Sequence, residues 1–496
     1  MKNLFTFIGL VYFFINSAYS QIREERLGVL VTHETWRLKT GESLGMSQLG
    51  IQTQLKRDYR IGFSTFAATT GQRGGFIVLG GNLERVFRLN NEFEMEIGAY
   101  LGGGGGRGGA ELTGGGLMLR QNIGLNYSLS KQETLSFGVS RVDFPQRDMI
   151  GSYQTYLGYR HSFSALYRPG HEPLSSNPLP NFLANYRFFR HQIGATYQYL
   201  SAKDSKTDSG VQQEDFGKLG VSWRTYLDHN WFLQLSSSGA IQGNSRGYMD
   251  IVPALGLESV LHRRLAQYVS LGIGAGGGGD VGTGGGVLIE PSLGLQYFFL
   301  PKWFLDGSVS RLIASNGDLN ATSINFKVGY EIGRKGEEAF ANADIFKDYP
   351  LRLRVVNQRY SKGSDNWRSE PDRPVSNVGA QIDYFYGPNG YLTGQGLGAY
   401  SGGAGAYMVG KFGPGFLYRF SPLFFVQSEA LIGAAGGGGI FTGSGLVGQV
   451  NFAFGFQLTK DISIQLGSGR IRSMNGTLEA NVLEFSLGHQ FTGYSK

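Results

Sequence analysis

Ile123-Gly124-Leu125-Asn126-Tyr127 alternates large apolar residues with small or polar ones, and it returns as Leu293-Gly294-Leu295-Gln296-Tyr297 and as Phe452-Ala453-Phe454-Gly455-Phe456. A period of two is the mark of a strand with one apolar and one polar face, and helical spacing fits none of these stretches. The same alternation marks an earlier strand in each copy. Leu49, Ile51, Thr53 and Leu55 interleave with Gln48, Gly50, Gln52 and Gln54. Leu219, Val221 and Trp223 face away from Gly220, Ser222 and Arg224, and Val378, Ala380, Ile382 and Tyr384 from Gly379, Gln381 and Asp383.

Three Gly-rich stretches, Gly102 to Gly116, Gly274 to Gly286 and Gly433 to Gly445, each contain a Thr-Gly pair. Aligned on Thr113, Thr283 and Thr442, the copies bring Arg141, Arg311 and Arg470 to the same position, 28 residues on. The repeat of roughly 160–170 residues is far longer than a solenoid or propeller unit of about 20–50 residues. Each copy holds about eight strands by this pattern, so about 24 in all. Connections alternate in kind. Lys56 to Tyr59, Gly387-Pro388-Asn389-Gly390, Ser130 to Glu133, Leu300-Pro301-Lys302 and Thr459-Lys460-Asp461 are short turns, whereas Ser201 to Gly217, Ser361 to Ser376, Ala67 to Gly75 and Phe144 to Gly151 are longer. A sandwich has no reason to sort its loops this way; a membrane barrel with short periplasmic turns and long outer loops does.

Composition agrees. The chain of 496 residues has 78 Gly, 13% aromatic and 17% charged residues, a balance suited to strands and tight turns. A mean hydropathy of −0.16 excludes many apolar helical spans of about 20 residues. Leu4 to Ile15, preceded by Lys2 and followed by Ala18-Tyr19-Ser20, reads as a signal peptide over 1–20, cleaved near Ser20. With no Cys at all, a lipid anchor on cysteine, disulfides and thiolate metal sites are excluded.

The last strand ties these features together. In Val482 to Phe491, Leu483, Phe485, Leu487, His489 and Phe491 alternate with Glu484, Ser486, Gly488 and Gln490. The chain resembles bacterial outer-membrane β-barrel proteins as a class, in which an amphipathic final strand ending in an aromatic is the insertion signal. Thr492 to Lys496 follow Phe491, a departure from that pattern. The resemblance implies residence in the outer membrane of a Gram-negative bacterium and a partnership with barrel-insertion machinery through the strand ending at Phe491.

The expected fold is therefore all-β: a transmembrane antiparallel up-and-down barrel built from three eight-strand repeats, about 24 strands in one barrel. The alternative is three tandem eight-stranded barrels, because eight is a permitted closure. The expected organisation is repeat unit 1 over 21–163, a Pro-containing joint over 164–188, repeat unit 2 over 189–332, a joint over 333–350, and repeat unit 3 over 351–496.

Catalytic chemistry finds little purchase. The Gly-rich stretches lack the following helix and the Lys or acidic partner of a phosphate loop, and are read instead as places where backbones approach closely. Gly41-Glu42-Ser43-Leu44-Gly45 has the spacing of a nucleophile elbow but falls in an expected outer loop rather than a strand-to-helix turn. The seven His are scattered, without metal-ligand spacing. No enzyme activity, cofactor or metal is expected. The net charge of +7 is dispersed, without the basic stripe of a nucleic-acid binder. Arg141, Arg311 and Arg470 fall in phase with apolar positions near the outer ends of equivalent strands, where a planar donor fork suits the phosphates of lipopolysaccharide. The first functional expectation is a channel or transport barrel for small solutes. The second is a non-conducting structural or accessory subunit of an outer-membrane complex, favoured by bulky inward residues such as Arg224, Tyr226 and Phe385.

Overall fold

The computed structural model describes residues 23–56, 58–107, 109–147, 149–150, 153–170, 190–332 and 347–495. The expected signal peptide over 1–20 lies outside them, as does most of each joint. The first repeat folds into Arg23–Arg37 (β1), Ser43–Lys56 (β2), Tyr59–Thr70 (β3), Ile77–Arg88 (β4), Phe93–Gly105 (β5), Met118–Ser128 (β6), Glu133–Asp143 (β7) and Tyr153–Pro169 (β8). The second gives His191–Ser201 (β9), Phe216–Tyr226 (β10), Trp231–Gln242 (β11), Met249–His262 (β12), Leu265–Gly277 (β13), Val287–Phe298 (β14), Trp303–Ala314 (β15) and Asn320–Ile332 (β16). The third gives Lys347–Lys362 (β17), Val375–Phe385 (β18), Gly390–Ser401 (β19), Met408–Arg419 (β20), Phe424–Gly436 (β21), Leu446–Gln457 (β22), Ile462–Ser473 (β23) and Glu479–Ser495 (β24).

Closure is by eights. β1 pairs with β8 (Leu27 opposite Phe163), β9 with β16 (Ala195 opposite Val328) and β17 with β24 (Val355 opposite Leu487), each antiparallel. The expected single barrel of about 24 strands is thus not the arrangement found, and the three-barrel alternative is. The physical reason lies in the seams: each repeat's first and last strands pair over nearly their whole length, so no edge is left for the next repeat to extend. One short exception joins the first and third barrels, where Tyr167, Arg168 and Pro169 of β8 lie opposite Gly493, Thr492 and Phe491 of β24.

Every strand has 11–17 residues, enough to cross a bilayer when about 9–11 are needed. The alternation is inverted relative to a soluble protein. Leu293, Phe326, Val450 and Phe452 stand more than half exposed on the outside, while Gln52, Gln296, Gln427 and Ser486 are buried inside. Aromatics collect at the short-turn end, as in the pairs Phe93–Tyr127 (5.0 Å), Trp303–Tyr330 (5.3 Å) and Phe424–Phe456 (5.3 Å), forming the girdle expected at a lipid headgroup boundary.

Candidate functional site

The barrel interiors are the first place to look for a passage. In the first barrel the Arg120 guanidinium clasps Glu34 at 2.9 Å, which also accepts from Trp36 Nε1 (2.7 Å) and Ser140 (2.8 Å). Below it, Arg160 reaches Glu84 (3.0 Å) and Tyr156 donates to Glu96 (2.8 Å). In the third, Arg352 and Arg354 share Asp383 at 2.6 and 3.0 Å, Arg354 also meets Glu429, and Gln358 donates to Glu484 at 2.6 Å. Arg352, Arg354 and Asp383 are fully buried. The second barrel carries its ion pairs toward the two ends, Lys218 with Asp250 (2.5 Å) and Arg190 with Glu258 (2.9 Å). Buried charges persist only when paired and hydrogen-bonded, which these are. Arg224, Tyr226 and Phe385 all point inward and are buried.

Each interior is stoppered at its long-loop end by an apolar cluster. Trp36, Phe66, Phe76 and Phe144 pack together in the first barrel, Phe216, Tyr248 and Leu288 in the second, and Trp367, Tyr360 and Tyr407 in the third. The remaining opening among the first barrel's charges is a cavity of about 10 Å³, room for about one water.

The Gly-rich stretches build a second feature, at the long-loop end and between barrels. Each stretch docks on the β3–β4 connection of a neighbour or its counterpart. The amide of Gly74 donates to Gly284 O (2.9 Å), and that of Gly405 to Gly114 O (3.1 Å). Thr113 Oγ1 donates to Gly405 O at 3.1 Å. A Cβ placed on Gly116, Gly286 or Gly445 would lie 2.0, 2.5 or 2.1 Å from the carbonyl oxygen of Ala399, Ala68 or Ala240, in every case on another barrel. All three glycines adopt nearly one backbone conformation, with φ of 99, 101 and 107°, which a side chain would strain as well. The docking runs first barrel onto third, third onto second and second onto first, so the heterologous contacts close a ring. Inside it, Ile77, Met249 and Met408, which open β4, β12 and β20, gather with Ala67, Ala275 and Ile251 into one apolar cluster. Arg107 adds an ion pair to Asp208 at 2.5 Å across the first and second barrels. Partial burial lifts the Asp208 carboxyl above its ordinary range, while Arg107 opposes that shift.

At the short-turn end, Tyr330 meets Tyr384 (5.8 Å), His191 meets Tyr349 (6.1 Å) and Tyr167 meets Phe491 (6.1 Å), so the barrels also touch there.

The three arginines singled out in the sequence are separate, one per barrel, exposed and outward at the long-loop ends of β7, β15 and β23. Each has a local partner: Arg141 lies over Tyr153 (5.8 Å), Arg311 Nε donates to Asn320 (2.7 Å), and Arg470 pairs with Glu479. Ser43 opens β2 and is followed by strand, not by the helix an elbow requires. Among the described residues no group of three or more His, Asp or Glu is placed to hold a metal. The inward ion pairs are not readable as pairs in the sequence, where their members show only as charges in the polar phase of a strand, such as Arg120 between Leu119 and Gln121.

These features are those of bacterial outer-membrane β-barrel proteins as a class, which the chain resembles. No protein-family model matches the chain, and no curated protein does. Among solved structures, a mutant of the ferric enterobactin receptor from Pseudomonas aeruginosa in complex with enterobactin aligns over 96% of this chain and 82% of its own, at 10% identity and a TM-score of 0.29. The siderophore receptor PirA from Acinetobacter baumannii aligns over 96% and 81%, at 9% identity and a TM-score of 0.29. Neisserial surface protein A is covered over 96% of its length by 29% of this chain, at 11% identity and a TM-score of 0.23. Scores of this size fix neither the arrangement of strands nor an activity.

Proposed function

We propose that the chain is a non-conducting outer-membrane scaffold: three closed barrels locked into one triplet that offers a broad, rigid platform to a partner complex. The observation that carries this reading is the filling of the interiors. A small-solute channel, the first expectation from the sequence, needs a wide lumen. Closure into eights leaves room for side chains or at most one small ligand, and each interior is stoppered at the outer end by an apolar cluster that includes aromatics. Export through a signal peptide cleaved near Ser20 and insertion guided by the terminal strand ending at Phe491 belong to the same reading, with β24 running past that aromatic to reach the first barrel. No catalytic step is part of it. Arg141, Arg311 and Arg470 would anchor lipopolysaccharide phosphates around the outer rim, supported by their exposure and their shared height on three equivalent strands. The test is single-channel recording of the folded mature chain in planar bilayers. Silence is expected, and stable stepwise conductance would overturn the reading.

A further inference from the structure

The short-turn ends of the three barrels differ. In the second, Tyr226, Phe232 and Tyr268 close the mouth from inside, and in the third Phe385, Tyr391, Leu417 and Phe425 do so. Arginines lie over these rings, Arg224 over Phe232 (4.1 Å) and Arg352 over Tyr391 (5.3 Å), so the cations there are already engaged. The first barrel has no counterpart. Its described inward positions at this end carry no aromatic, and include Arg26, Arg60, Arg88, Glu94, Ser128 and Ser162 instead. The mouth stays open as a vestibule of about 670 Å³, touched by Phe163 only from the outward phase of β8. Ligand-binding recesses are of this size, about 300–1,000 Å³. The vestibule is blind, because the Arg160–Glu84 and Arg120–Glu34 pairs and the Trp36 cluster fill the barrel beyond it.

Charge in this recess is unbalanced. Glu94 is answered twice, by Arg60 at 2.6 Å and by Arg88 at 3.6 Å. Arg26 and Lys131 meet no carboxylate among the described residues; the Arg26 guanidinium donates to the Lys131 carbonyl, which holds it in place without cancelling its charge. Asn91, Ser130, Gln132 and Ser164 add amides and hydroxyls to the wall, groups that both donate and accept, as a peptide backbone requires. A surplus of fixed positive charge in a recess focuses the field and draws anions. Arg26 offers a planar fork matched to a carboxylate, and clustered cations of this kind recognise acidic motifs. A recess that leads nowhere suits a holdfast better than an entry for a solute.

Building on the scaffold reading above, we propose that the vestibule of the first barrel is where the partner docks, taking an acidic peptide segment of a periplasmic protein with its carboxylates on Arg26 and Lys131.

The test is fluorescence anisotropy of the purified full chain in detergent with a labelled, end-blocked peptide of alternating Glu and Gly, with the Gln–Gly peptide and free glutamate as comparisons. The acidic peptide should bind and the Gln–Gly peptide should not. Arg26→Gln with Lys131→Gln should weaken binding about tenfold or more. Ser164→Trp, which keeps every charge but fills the mouth, should weaken it as much and decides the matter if the charge variant fails to fold. Arg263→Gln with Arg264→Gln, an equal loss of charge from a short turn of the second barrel, should leave binding unchanged. Absence of binding by folded wild-type protein, unchanged binding in Ser164→Trp, equal weakening in the Arg263 and Arg264 variant, or displacement by free glutamate as strong as by the peptide would overturn the proposal. A chain that is silent in bilayers and fails to bind loses only the docking site, whereas one that conducts loses the scaffold.

Discussion

The Gly74 amide and the Gly284 carbonyl, on two different barrels, lie 2.9 Å apart in a direct hydrogen bond. A contact of backbone with backbone leaves no space for a Cβ on either side. Substitution of Gly116, Gly286 or Gly445 by Ala should therefore cost about 1–3 kcal/mol from the backbone conformation alone, with more from the collision with the facing carbonyl. Gly394→Ala, where nothing lies within 4 Å, is the matched control and should be nearly neutral. Thermal unfolding read by heat-modifiable gel migration separates the two.

Closure by eights makes a covalent prediction. The chain has no Cys, so a pair introduced as Leu27→Cys and Phe163→Cys is free of competitors. These positions are direct antiparallel partners, about 4.5–5.5 Å apart between Cα atoms, within reach of a disulfide. Oxidation should cross-link them in the membrane. In a single wide barrel β1 and β8 would be separated by the strands between them, and no bond would form.

Arg354 sits among Asp383, Glu429 and Glu484 with no exposure. Replacing it by Met takes the arginine from the buried Glu429 and Glu484, while Asp383 keeps Arg352, and should cost about 3–5 kcal/mol in urea unfolding. Arg359→Met, on the outward face of the same strand, should stay within about 0.5 kcal/mol. Equal effects of the two would mean that the network contributes nothing specific.

The outward arginines predict a graded loss. Alanine at Arg141, Arg311 and Arg470 together should reduce lipopolysaccharide co-purifying with the protein while melting stays unchanged. Arg470, whose charge is already offset by Glu479, should matter least of the three when changed singly. Unchanged lipopolysaccharide in the triple variant removes the assignment.

Much of this architecture is legible in the sequence because period two is a local property. Ile123, Leu125 and Tyr127 face outward wherever their strand ends up, and the eight-strand repeat follows from counting such segments. Closure was not legible, since β8 alternates identically whether it pairs with β1 or with β9; that choice is made by contacts between residues as distant as Leu27 and Phe163. The junction was half visible. Gly116, Gly286 and Gly445 mark close backbone approach, but that the approaching backbone belongs to another copy depends on three-dimensional placement. The pairing of the inward charges gave no sign at all, because a charge in a polar phase reads the same whatever it meets across the barrel.

The ring of docked loops would close equally well if its three members were separate identical chains, but then every member would have to carry the same interior. Writing the ring into one polypeptide removes that obligation. Each copy is then free to differ inside, as the large Tyr156, Arg160, Arg352 and Arg354 of the first and third barrels differ from the short Ser236, Ser270 and Ser308 of the second.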